Sequence, residues 1–379
     1  MAASLCGERF DEDRPPAVTT ANELVAAEVR MQGKACGNLG SPLYRQLMEA
    51  AATDAEAGGI IADILAPLAF EPTGSAITLR LFGAMHRLAL AGRAPDLARA
   101  YPSCGGDPAG VTPRDLWEAF ESTCRTMQSE ITGRLNQAPQ TNEVGRSAAL
   151  RGALDIVAAA APLPIRLVEI GASAGLNLLV DHFALRWPGG SRGPLTSPVR
   201  LDDAWTGNTP PEGDLLIVDR LGCDINPLDA TAPDDALSLQ SFVWPDQTTR
   251  LERLRGALDI ASTTTISVRP ESADSFLAAI EPSPGVLTVI SHSVMWQYLP
   301  DDVRAAASDQ LGRLAAAATP DAPIAHIGLE PPRTSDDSDV DYRAARRHGG
   351  FVITAGCAPH FSDRVVGYCP PHGPPAHWL

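Results

Sequence analysis

Along the first 160 positions, apolar residues return every three or four places, the period of helices that bury one face. Thr20 and Glu23 form a capping-box pattern, and Leu24 and Val25 open the apolar side. Ser41-Pro42 predicts a second start, followed by Leu43 and Leu47 and closed by Gly58-Gly59. Leu79, Phe82, His86 and Leu90 mark a third helix. Thr112-Pro113 opens the clearest one, whose face is Leu116, Phe120, Cys124, Met127, Ile131 and Leu135. A fifth is expected from about Asn142 through Leu150, Leu154 and Val157.

The pattern changes at Pro162. Short apolar runs without helical period now alternate with helical stretches: Ile165–Ile170, Leu215–Val218, Thr265–Val268, Val286–Ile290, Ile324–Leu329 and Phe351–Thr354. Buried strands alternating with helices predict a mostly parallel sheet covered on both faces. Residues 349–368 read as two strands that complete it as an antiparallel hairpin. The expected fold class is therefore α/β, Rossmann-like, with an all-α part over residues 1–160 and the sheet over 161–379. The Pro-, Gly- and Ser-rich stretch 187–213 reads as a long loop or insertion, and 332–341 as a surface loop.

Composition narrows the function. Of 379 residues, 44% are hydrophobic and 20% charged, which is globular. Asp+Glu (46) exceeds Lys+Arg (30), a net charge of −16, so nucleic acid and anionic lipid are disfavoured as partners. Seven scattered cysteines without a C-x-x-C pair point to a reducing compartment. The first residues carry no apolar core of a signal peptide, and the apolar stretch Leu154–Val180 is interrupted by Pro162, Pro164, Arg166 and Glu169. A cytoplasmic protein acting on a small molecule is expected.

The chemistry concentrates after the first strand. Glu169-x-Gly171-Ala172-Ser173-x-Gly175 places an acid and alternating small residues between that strand and a helix expected to bury Leu176, Leu179, Val180 and Phe183. Small residues let the backbone turn sharply and let a ligand lie against bare amides. Two chemistries compete here. One is a nucleotide- or adenosyl-binding corner. The other is a nucleophile elbow, since Gly171-x-Ser173-x-Gly175 matches G-x-S-x-G, which would make the protein a serine hydrolase. The upstream context is helical and supplies no oxyanion loop, and Glu169 has no role in an elbow, so the binding corner is preferred. A non-catalytic ligand-binding protein of the same fold is the third reading.

An adenosyl ligand needs a carboxylate at the next strand end, and Gly222-x-Asp224-x-Asn226-Pro227 offers Asp224 with Asn226, or else a plain Asx-turn. Glu271 and Asp274 follow the third strand; Asp274 is equally an N-cap. Ser291 and His292 end the fourth, which makes His292 the first candidate for a general base, with Glu143 second. Asn142, Arg146, Trp244, Trp296 and Tyr298 are candidates to line the substrate pocket, each with capping or core packing as its alternative. Cys357-x-x-His360 and Cys369-x-x-His372 resemble zinc ligands in type, but turn chemistry explains them better and no metal is expected.

SPLY (41–44), YPS (101–103), QTNEVGR (140–146), VEIGASAGLNLL (168–179), CDINPLDATAP (223–233), VWPDQTTRLERL (243–254) and the HSVMWQYL stretch (292–299) together resemble an uncharacterised bacterial family, domain of unknown function 2332. The sheet part is similar to class I methyltransferases, locally at 168–175 and 222–227 and weakly at 271–274. That resemblance implies S-adenosylmethionine as cofactor and methyl transfer to an O or N nucleophile of a small molecule. The helical part would close over the cleft and select the acceptor.

Overall fold

The computed structural model describes residues 20–213, 215–332 and 342–379. Of the expected surface loop 332–341, residues 333–341 lie outside the described residues, as does the N-terminal stretch 1–19. The chain divides into two compact units: Met1–Thr141 with Pro233–Leu251, and Asn142–Ala232 with Glu252–Leu379. This corrects the expected border at 160. Helix Ser147–Ala160 is buried almost all round because it covers the sheet, with Trp205 Nε1 donating to its Ala148 carbonyl at 2.8 Å. Helix Pro233–Ser241 goes with the helical unit, where Arg87 Nη1 donates to the Asp234 carbonyl and the Ser238 hydroxyl oxygen.

In the helical unit the caps fall where the sequence puts them. Thr20 and Glu23 close a reciprocal capping box on helix Ala21–Asn38, and Ser41 caps helix Pro42–Glu56. The long expected helix from Pro113 breaks at Met127 into Pro113–Thr126 and Gln128–Arg134, yet Leu116, Phe120, Cys124, Ile131 and Leu135 all remain buried. Asp246 accepts the Ser41 hydroxyl at 2.6 Å and the Leu43 amide at 3.0 Å.

The second unit is built on a nine-stranded sheet. Its strands are β1 (Ile165–Ile170), β2 (Ala184–Trp187), β3 (Gly190–Arg192), β4 (Arg200–Leu201), β5 (Trp205–Gly207), β6 (Ile217–Asp224), β7 (Ser267–Pro270), β8 (Leu287–Ser293), β9 (Ile324–Glu330), β10 (Phe351–Ala358), β11 (Phe361–Cys369) and β12 (Ala376–Trp378). The main sheet runs β5-β12-β11-β10-β9-β8-β1-β6-β7, and the strands from β9 to β7 are mutually parallel. β10 and β11 form the expected antiparallel hairpin beside β9. This is a Rossmann-like α/β arrangement. Residues 187–213 are no plain loop: β2, β3 and β4 form a small second sheet and β5 joins the main one.

One layer of core lies between the sheet and helices Ala273–Ala278 and Asp301–Ala317, filled by Val168, Ile170, Cys223, Ile290 and Phe276. Side chains alternate along a strand. Leu167 and Glu169 therefore face the side opposite Val168 and Ile170, and His292 shares the face of Ile290.

Several strand ends lie one to six residues beyond the sequence expectation. β6 runs to Asp224, β8 to Ser293 and β9 to Glu330. Polar residues such as Asp219, Arg220 and His292 obscure the apolar pattern there, although they sit in regular ladders.

Candidate functional site

Strand order reverses between β1 and β8, because β6 and β7 extend the sheet one way and β8 and β9 the other. Ligands of doubly wound sheets bind at the carboxyl ends of strands at such a reversal. The glycine turn stands there. Gly171, Ser173 and Gly175 have φ of +68°, +54° and +75°. Left-handed backbone at alternate positions requires glycine or tolerates a strained residue, and Ser173 is the strained one. Side chains crowd the turn: a Cβ at Gly171 would lie 2.8 Å from Met295 Cβ.

The amides of the turn are held from within the chain. Ala172 N–H donates to the Cys223 carbonyl at 2.9 Å and Ser173 N–H to Asp224 Oδ2 at 2.9 Å. Ala174 and Leu176 both donate to Asn142 Oδ1, at 3.2 and 2.9 Å. Asn142 is thus a strut of the turn and not the pocket wall expected of it. The segment that follows is a 3-10 helix, Leu176–His182, kinked at Leu179. The expected α-helix and its N-terminal dipole are absent, since Phe183 returns directly to β2.

Glu169 is the unusual group beside this turn. It is only 2% exposed, and burial pushes its carboxyl up to about 8, opposed by a hydrogen bond with Asn177 and by Arg146 and reinforced by Asp224. Its Oε2 has no hydrogen-bond partner in the described structure. Arg146 is fixed by donating from Nε to the Pro371 carbonyl and from Nη1 to the Ser293 carbonyl. Ser147 Oγ bonds Asn177 Oδ1 at 2.9 Å, so the amide that meets Glu169 is itself oriented.

The other expected contacts divide. Asp224 adjoins the turn, but its carboxylate also makes the Asx-turn, Oδ1 accepting the Asn226 amide at 3.0 Å. Asn226 is exposed. Glu271 reaches the same corner through its amide, which donates to the Asp224 carbonyl. Asp274 lies in the first turn of its helix, where the Ser272 hydroxyl holds its carboxyl below the usual range. Ser291 Oγ donates to the Val168 carbonyl, a bond internal to the sheet. Glu143 is buried and accepts the Gly145 amide at 3.1 Å, which starts the turn Val144–Arg146. Trp244 packs in the core of the helical unit, its ring 6.3 Å from that of Tyr44.

His292 does not face Glu169; strand alternation turns it to the other side of the sheet. Its Nδ1 meets Glu330 Oε1 at 2.8 Å and its Nε2 meets His326 Nε2 at 3.0 Å. His326 Nδ1 in turn meets Asp363 Oδ2 at 2.6 Å. Glu330 Oε1 also accepts the Met295 and Trp296 amides. The Trp296 ring stacks on His292 with centroids 5.0 Å apart. Gly328 leaves room for the imidazole, since a Cβ there would lie 3.1 Å from His292 Cε1. These side chains line a cavity of about 1040 Å³. Tyr298 is partly exposed; burial pushes its phenol up, Arg146 opposes this and Glu330 adds to it.

A family model matches residues 26–378. The chain belongs to the family described as an uncharacterized protein conserved in bacteria, domain of unknown function 2332. No curated protein matches the chain. Glu169, the glycine turn, Asp224 and the imidazole pair all fall within the matched span.

In this family member, His326, Glu330 and Asp363 are the site residues that sequence reasoning missed. The readable signal was His326-x-Gly328-x-Glu330, polar and small residues at alternate places in an otherwise apolar strand. The two C-x-x-H pairs are not one site: Cys357 lies opposite Phe361 and Cys369 opposite Phe351, at the two ends of the hairpin. Among the described residues no three His, Cys, Asp or Glu side chains converge for a metal, and no helix is long and apolar enough to cross a membrane.

Proposed function

We propose that the sheet unit binds S-adenosylmethionine at the glycine turn and transfers its methyl group to an oxygen or nitrogen of a small molecule. One observation carries the reading. Glu169 presents a buried, unpartnered carboxyl oxygen beside a left-handed turn where the strand order reverses. A buried acceptor without a partner is costly, and a cationic, donor-bearing ligand would relieve it. The donor set fits: Glu169 would meet the cationic end of the cofactor, and Asp224, whose oxygens each keep a second lone pair, would accept from its ribose. The amides capped by Asn142 remain with the protein, so the turn contributes shape and not free donors.

When bound, the cofactor supplies a methyl group on an already activated sulfonium. The chain's own residues then have to orient the acceptor, exclude water and take a proton. Arg146 and Asn177 hold Glu169 in place, and Asn142 fixes the turn.

Equilibrium dialysis with labelled S-adenosylmethionine tests this, with one site per chain expected. Covalent labelling by a fluorophosphonate that disappears in Ser173→Ala would instead favour a serine hydrolase.

A further inference from the structure

The contacts Glu330–His292, His292–His326 and His326–Asp363 join four side chains by three short hydrogen bonds. Each bond needs one hydrogen, whatever the tautomers. Two neutral imidazoles and two carboxylates bring only two. Glu330 Oε1 already acts as acceptor toward the Met295 and Trp296 amides, so the hydrogen facing His292 lies on Nδ1. Asp363 Oδ2 takes the Nδ1 hydrogen of His326 in the same way. The two Nε2 atoms, 3.0 Å apart, would then oppose lone pair to lone pair in a half-buried setting. A third proton between them removes that repulsion.

We infer that His292 and His326 share one proton between their Nε2 atoms and form an acid–base dyad for a small molecule in the adjoining cavity. The cavity is floored by this pair with Glu330 and Asp363 and walled by Leu311 and Ala315. Among the described residues, His360 and Arg364 are the other titratable groups lining it, and Tyr298 lies within electrostatic reach of Glu330. Side-chain exposure rises along the chain from His292 (6%) through His326 (22%) to Asp363 (56%), which gives the proton a direction toward solvent. The ligand class is a weak acid bearing an O–H or N–H. When such a group displaces His326 from His292 Nε2, the shared proton stays on His326 and leaves through Asp363 to water. His292 Nε2 then takes the ligand proton; the O–H or N–H bond breaks with its electron pair on the ligand, and a ring N–H bond forms. The inference does not depend on cofactor binding at the glycine turn.

Imidazole nitrogen NMR of the full chain at about pH 7.5 counts the ring protons directly. Three protons over His292 and His326 are expected, and a single proton on His292 in His326→Gln. Two neutral rings in the wild type would overturn the dyad, as would an equivalent of metal found at the pair by elemental analysis. Asp363→Asn, an exposed change, should keep the shared proton and slow its exchange with solvent by roughly tenfold. Unchanged exchange would overturn the exit through Asp363.

Discussion

Asn142 Oδ1 accepts the amide of Leu176 at 2.9 Å and so ties the start of the sheet unit to the turn after its first strand. It also takes the Ala174 amide, so one side chain satisfies two buried donors. Asn142→Ala leaves both unpaired. A loss of roughly 1–3 kcal/mol in urea unfolding is expected, together with weaker ligand binding at the turn. Unchanged stability would mean that the turn is held elsewhere.

Ser173 occupies a conformation that glycine adopts freely. Ser173→Gly should therefore raise stability by up to roughly 1 kcal/mol in thermal unfolding and leave cofactor affinity intact. Gly171→Ala, at φ +68° and pressed against Met295, should do the reverse. If Ser173→Gly abolished an activity while cofactor affinity stayed normal, the hydroxyl would be the reacting group.

Asp224 closes the turn and adjoins the proposed ribose site. Asp224→Ala should lower cofactor affinity by roughly 1–3 kcal/mol, or about five- to 150-fold, in calorimetry. A change in stability alone would reduce Asp224 to a capping residue.

Glu169 gives a pH signature. Its carboxyl is raised to about 8 in the folded chain, against an ordinary value of 4.5. A raised acid favours the folded state fully below the unfolded value, and that contribution is lost as pH rises through the folded value. Glu169→Gln removes the titration. Between about pH 5 and 8 the variant should gain on the wild type in unfolding free energy, on the order of a few kcal/mol at most. Parallel pH profiles would show that Glu169 does not titrate this way.

The sequence made the turn legible because its requirement is local: alternate small residues mark alternate left-handed backbone, and Glu169 precedes them at fixed spacing. The capping pairs Thr20–Glu23 and Ser41–Tyr44 were legible for the same reason. The imidazole pair was not, because His292, His326 and Asp363 come from β8, β9 and β11 and meet only through sheet order. Asp246 shows the same limit, since its partners Ser41 and Leu43 lie about two hundred residues away in sequence. The side that His292 faces was not legible either, because β8 continues past Ile290 through Ser293 and strand alternation sets it.

Calorimetric titration of S-adenosylmethionine, repeated near pH 7 in buffers of different ionisation enthalpy, addresses the glycine-turn reading most directly. Glu169 is mostly protonated in the free protein at that pH and should ionise against a cationic ligand. One site per chain is predicted, with net proton release that Glu169→Gln abolishes along with much of the affinity. No binding heat at millimolar ligand, or binding that Glu169→Gln leaves untouched, would contradict it.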